Sequence, residues 1–197
     1  MKDNQLLFIG LLDIMERAVS EKNREVFFNK FYQLRNIKTD SVSDQLIIAY
    51  KRLLDKAIIQ FKQDESFNTI VSSTISLSYG LIPTDKLDFD LLKILTDCLE
   101  LSDTRIKANA LTAISEFDPN SELFKEHINS RFNRIAAEAL IAEGKKELNL
   151  KIIEKLKGFF NSSNPFFVAS GIYVIGHLLE FYKEPLLTSD SIYTNDF

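Results

Sequence analysis

Three segments of this chain repeat one pattern at a near-regular interval: DTRIKANALTAISEF from Asp103, NRIAAEALIAEGK from Asn133 and FVASGIYVIGHLL from Phe167. Aligned on Ile106, Ile135 and Val168, each places a small residue two positions on: Ala108, Ala137 and Ser170. Ala110, Ala139 and Ile172 follow at four, and Leu111, Leu140 and Tyr173 at five. Ile114, Glu143 and Gly176 stand at eight. A weaker copy lies upstream in NTIVSSTISLSYG, with Ile70 or Val71 at the anchor and Ser73 and Ile75 after it. A helix pair cannot bury its apolar face alone, so it stacks on neighbouring pairs. Alanines let helices approach along one strip, and larger side chains fill the grooves beside it. The repeat therefore predicts stacked helix pairs, because an ordinary bundle does not need one helix type to recur.

The rest of the chain is helical in period. Leu7, Leu11, Ile14, Met15 and Ala18 form a first stripe, and Val26, Phe27, Phe31 and Leu34 a second. SVSDQLIIAYKRLLDKAIIQFKQ is long and periodic, with Ser43 or Ser41 as its N-cap. SFNTIVSSTISLSYGL is rich in β-branched residues, but a lone strand among helices has no partner, so it is expected to be a helix ending near Gly80. Pro83 opens a connection, and DKLDFDLLKILTDCLEL follows with acidic residues at its front, where the helix dipole favours them. Pro119 ends the helix begun at Asp103, and a short helix starts near Ser121. The expectation is all-α: an α-α superhelix, or solenoid, of about five stacked antiparallel helix pairs in one domain over residues 1–187. A polar tail over 188–197 would follow it.

Composition narrows the function. Gly and Pro are scarce, at 6 and 4, which suits helices rather than turn-rich sheets. The net charge of -4 argues against a dedicated nucleic-acid binder, which must neutralise phosphates. Cys98 is the only cysteine and reads as a small buried residue. His127 and His177 are the only histidines, and neither has an acid or nucleophile placed beside it by a motif. Asp88 and Asp90 are explained by capping rather than catalysis. No phosphate loop, nucleophile elbow or metal-ligand spacing occurs, so no enzyme, cofactor or metal is expected. The first apolar run, Leu6 to Leu12, is interrupted by Asp13 and is too short for a signal sequence. No stretch reaches the length of a membrane span, which implies a cytoplasmic protein without membrane contact.

The segment Asp103, Ile106, Lys107, Ala108, Asn109, Ala110, Leu111, Ala113, Ile114 resembles a HEAT repeat of the short bacterial kind. The likeness is clearest over residues 87–182. By that resemblance, the Asp103 segment is the inner helix of a pair, and FDLLKILTDCLEL the outer one. The family's ladder of Asp and basic residues fits at Asp103 and Lys107 but is replaced by Phe132 and Ala136, then by Pro165 and Ala169. The resemblance implies a non-catalytic scaffold that holds a protein partner on its concave face, in bacterial signalling or surface machinery. The contact residues it implies are Arg105, Lys107, Thr112, Glu116, Arg134, Glu138 and Tyr173. Nucleic-acid binding is the alternative. It would use Lys145, Lys146, Lys151, Lys155 and Lys157, taken to face outward, with a basic rim from Arg105, Lys107, Arg131 and Arg134.

Overall fold

A computed structural model describes residues 2–37, 42–83 and 88–189. Ten α-helices and no strand occur among them: α1 (Lys2–Ser20), α2 (Arg24–Arg35), α3 (Asp44–Gln63), α4 (Asn68–Leu81), α5 (Phe89–Asp97), α6 (Thr104–Phe117), α7 (Leu123–His127), α8 (Asn133–Lys146), α9 (Leu150–Phe160) and α10 (Pro165–Ser189). The chain is all-α. The β-branched segment is indeed a helix, α4.

Local chemistry sets the helix ends. The Ser43 hydroxyl accepts from the Leu46 amide and caps α3, while the alternative cap, Ser41, lies outside the described residues. Asp88 caps α5 by accepting from the Leu91 amide at 2.8 Å. Asp103 caps α6 through the amides of Arg105 and Ile106. Between α1 and α2, Lys22 adopts the left-handed region at φ 57°. There the Asn23 amide donates to Ala18 O and the Lys22 amide to Val19 O. These two bonds close a Schellman turn, and Asn23 then caps α2.

The chain divides into two compact units, Met1–Phe117 and Asp118–Phe197. In the first, α1 packs on α2 and α3, α4 on α3 and α6, and α5 on α6. Phe8, Leu12 and Met15 of α1, Phe27 of α2, Leu53 and Leu54 of α3 and Ile75 of α4 are essentially inaccessible. The buried stripe of α1 differs from the sequence reading: Leu7 is 53% exposed, and Phe8, Leu12 and Val19 take the inner face. Buried polar bonds fix this stack. The Tyr50 hydroxyl of α3 donates to Thr74 O of α4 at 3.0 Å. The Asn109 amide of α6 donates to both the carbonyl and the hydroxyl of Ser72 on α4, each at 2.8 Å. Asn68 donates to the second carboxylate oxygen of Asp103, so that side chain joins α4 to the cap of α6.

In the second unit, α8 packs on α7, α9 and α10, and α10 also on α9. Two glycines permit the close approach. A Cβ on Gly144 of α8 would lie 2.9 Å from Leu178 Cδ2 of α10. One on Gly171 of α10 would lie 3.1 Å from the Phe160 ring of α9. The Tyr182 hydroxyl then donates to the Gly144 carbonyl at 2.7 Å.

Helix α10 corrects two expectations. It runs to Ser189, so residues 188 and 189 of the expected tail are helical, and the remainder of that tail lies outside the described residues. Its stretch Pro165–Lys183 is also long and apolar enough to cross a membrane by length and composition, with 17% of it buried. Ser170, His177 and Glu180 interrupt any continuous apolar run there, while the mean hydropathy of the whole window remains high.

Candidate partner-binding groove

The seven residues implied as contacts divide between the units. On α6, successive residues turn by about 100° around the axis. Arg105, Thr112 and Glu116 therefore share one side, and Lys107 falls on the opposite side. Arg105 and Glu116 are exposed. The Thr112 hydroxyl is turned back onto its own helix, donating to Ala108 O at 3.1 Å. The four residues do not form one patch.

The remaining three converge. Arg134 and Glu138 lie one turn apart on α8, and Tyr173 lies across from them on α10. Together they line a groove of about 390 Å³ between the two helices. The buried Ala137 keeps its floor low, and Ala169 and Phe166, both exposed, stand on its wall. The walls are held in register by polar bonds. The Asn133 amide donates to Ser170 Oγ at 2.7 Å and to the Phe166 carbonyl at 3.3 Å. The Tyr173 hydroxyl donates to Glu138 Oε1 at 3.2 Å, and the His177 ring meets Tyr173 edge-on at 4.4 Å.

Glu138 requires a correction. The resemblance implies an outward contact residue here, yet Glu138 is only 6% exposed. A buried carboxylate needs donors, and Tyr173 is one. The position recurs in the repeat with the same burial. Glu138 stands three residues after Ile135, as Asn109 stands three after Ile106, and Asn109 is equally buried at 6%.

The lysines also divide. Lys146 is not on a solvated face: its ammonium donates to Ser121 O at 2.7 Å and to Glu143 at 2.6 Å, and lies 5.0 Å from the centre of the Phe124 ring. Lys145 lies 5.8 Å from the Phe181 ring. Lys151 and Lys157 are exposed, and Lys155 donates to Asn129 Oδ1.

Candidate chemistry elsewhere is spare. Cys98 is fully buried at the edge of a cleft of about 250 Å³ between α3 and α5, and burial pushes its thiol up to about 12. A thiol so held is a poor nucleophile. Asp88 and Asp90 both reach Lys51 on α3, at 2.8 and 3.4 Å. Burial is the largest single influence on Asp88 and acts upward, but the Lys51 ammonium and the Leu91 amide together hold its carboxyl below the ordinary range. The pair thus does capping and helix-joining. Among the described residues, no three His, Cys, Asp or Glu side chains are grouped so as to hold a metal ion. Compared with protein-family models, with curated proteins and with solved structures, the chain finds no match.

Proposed function

We propose that this chain is a non-catalytic, cytoplasmic protein-interaction module, a HEAT-like solenoid whose α8–α10 groove receives a segment of a protein partner. One observation carries the reading. Arg134, Glu138 and Tyr173, from two copies of the repeat, line a single groove walled by the exposed Phe166. Such a groove combines what peptide-binding surfaces need: exposed aromatic walls, small residues beside them, and polar groups to fix register. Tyr173 and Phe166 would supply apolar contact area, and Arg134 would engage an acidic residue of the partner. The bonds from Asn133 to Ser170 and from Tyr173 to Glu138 favour a groove formed before binding, which lowers the entropic cost of association. A bacterial signalling or surface-machinery complex is the setting we propose, following the repeat resemblance.

The test is affinity capture from bacterial lysate, with and without nuclease, at low and moderate salt. Ala169→Arg would fill the groove from an exposed position, and Lys93→Glu on α5, in the other unit, serves as a charge control. A discrete protein retained after nuclease, kept by Lys93→Glu and lost with Ala169→Arg, is the expected result. Capture that disappears with nuclease or modest salt would replace this reading with nucleic-acid binding. Capture unaffected by Ala169→Arg would place the partner elsewhere on the chain.

A further inference from the structure

We propose that a second cleft, between α9 and the loop joining α7 to α8, binds an organic monoanion that carries an apolar body, a carboxylate with an aromatic or aliphatic group. The site is separate from the α8–α10 groove and does not depend on that reading. Phe166 and Phe167 are neighbours in sequence but lie about 100° apart around α10. The first therefore lines the groove and the second lines this cleft.

The cleft has a volume of about 440 Å³, within the range of small-molecule sites. Its apolar part is set by Ile128, Phe159 and Phe167, and the two rings meet edge-to-face at 5.0 Å. Ile128 and Phe159 are buried, so this floor is fixed by the core of the unit. Its polar part comes from the lysine-rich segment. Lys151 and Lys155 stand one turn apart on α9, with Glu154 beside them and Asn129, Ser130 and Ser162 around the rim. Lys155 already donates to Asn129 Oδ1, which ties the ammonium to the loop and leaves its other protons for a ligand.

Charge decides the class of ligand. Two lysines and one glutamate leave one net positive charge, which matches a monocarboxylate better than a phosphate dianion. Gly158 keeps the cleft open. A Cβ placed there meets nothing within 4 Å, and Gly158 lines the cleft, so a side chain at this position starts into open space at the cleft.

The test is an amide-shift titration of the full chain, labelled with nitrogen-15, using 3-phenylpropionate as probe. We expect saturable shifts at the amides of Asn129, Ser130 and Ser162. The neutral analogue 3-phenylpropan-1-ol should bind at least about tenfold more weakly, as should Lys151→Gln/Lys155→Gln, the size expected when a charge-assisted hydrogen bond is lost. Gly158→Leu should abolish the shifts without lowering the Tm, since a good helix former replaces glycine at an open position inside α9. N-acetylphenylalanine identifies the source of the carboxylate: binding as tight as the probe indicates a peptide C-terminus, and weaker binding indicates a free acid. Four results would overturn the proposal. These are no saturable shift at millimolar probe, equal binding of the alcohol, equal shifts with inorganic phosphate alone, and unchanged binding in folded Gly158→Leu. Should Gly158→Leu fail to fold, the comparison of acid with alcohol and the double-lysine variant still decide.

Discussion

Asn109 and Glu138 occupy the same position of the repeat, and each meets a partner on a neighbouring helix of its own unit. Asn109 is the sharper case, because its amide satisfies both polar groups of Ser72. Removing it leaves a buried carbonyl and hydroxyl short of a donor. Asn109→Ala should therefore cost about 1–3 kcal/mol, whereas Thr112→Ala, whose hydroxyl serves only its own helix, should stay within about 0.5 kcal/mol. Urea denaturation of the two variants checks the contrast, and equal losses would refute the assignment. Cys98 gives a second prediction. Burial is the main cause of its raised value of about 12, and the Asp97 carboxylate adds to it. The folded chain thus holds the proton longer than the unfolded one, whose thiol ionises near the ordinary 9.0. Stability from this group is complete below about pH 9 and falls as pH rises from there toward 12. At pH 8 iodoacetamide should leave native Cys98 unlabelled and modify it in urea. Labelling of the native chain would show that the thiol is reachable. The burial of Cys98 was legible in its apolar sequence context. That of Glu138 was missed because a carboxylate reads as surface until its donor is known, and Tyr173 lies 35 residues away in sequence.

Helix positions were legible because period, caps and breakers are local: Ser43, Asp88, Asp103 and Pro119 each act within a turn or two of chain. How closely helices approach is not local, and the glycines of the second unit illustrate it. Gly144 and Gly171 look alike in sequence, as does Gly176. Their surroundings differ. A methyl at Gly144 would meet the flexible end of Leu178 at 2.9 Å. One at Gly171 would press on the half-exposed Phe160 ring at 3.1 Å and on Cβ of the buried Phe159 at 3.3 Å. One at Gly176 would meet nothing within 4 Å. The Leu178 methyls can yield by a rotamer change, whereas Phe159 Cβ moves only with the backbone of α9, so the order of cost should invert the order of distance. Gly171→Ala should destabilise by about 1–3 kcal/mol and Gly144→Ala by less. Gly176→Ala should stabilise by about 0.5–1 kcal/mol, through the lower freedom of the unfolded chain and better helix propensity. Thermal melting of the three variants ranks them, and a loss in Gly176→Ala would mean that its face of α10 is covered.

At the scale of the molecule, the repeat of the sequence and the division of the packing do not coincide. The copy at Asp103 closes the first unit, while the copies at Asn133 and Phe167 build the second. Sequence similarity reports which faces are made for stacking, and it is silent on where a core ends. Each unit has a core of its own. Phe8, Leu12, Met15, Phe27, Leu53 and Ile75 belong to the first; Phe124, Ile135, Leu140 and Val174 belong to the second. A chain built this way should open in two steps rather than one, because amide protection follows the burial and bonding around each site. Val174 tests this, being fully buried in α10 between the helices of its unit. Val174→Asp places an unpaired carboxylate there, at a cost of about 3 kcal/mol or more. Hydrogen exchange should then speed up along α8, α9 and α10, while the amides of α3 and α4 keep their protection. Uniform acceleration through both units would show a single cooperative fold. In that case the two cores, though separately filled, would share one unfolding equilibrium, and a ligand bound in the second unit would stabilise the first by the same free energy.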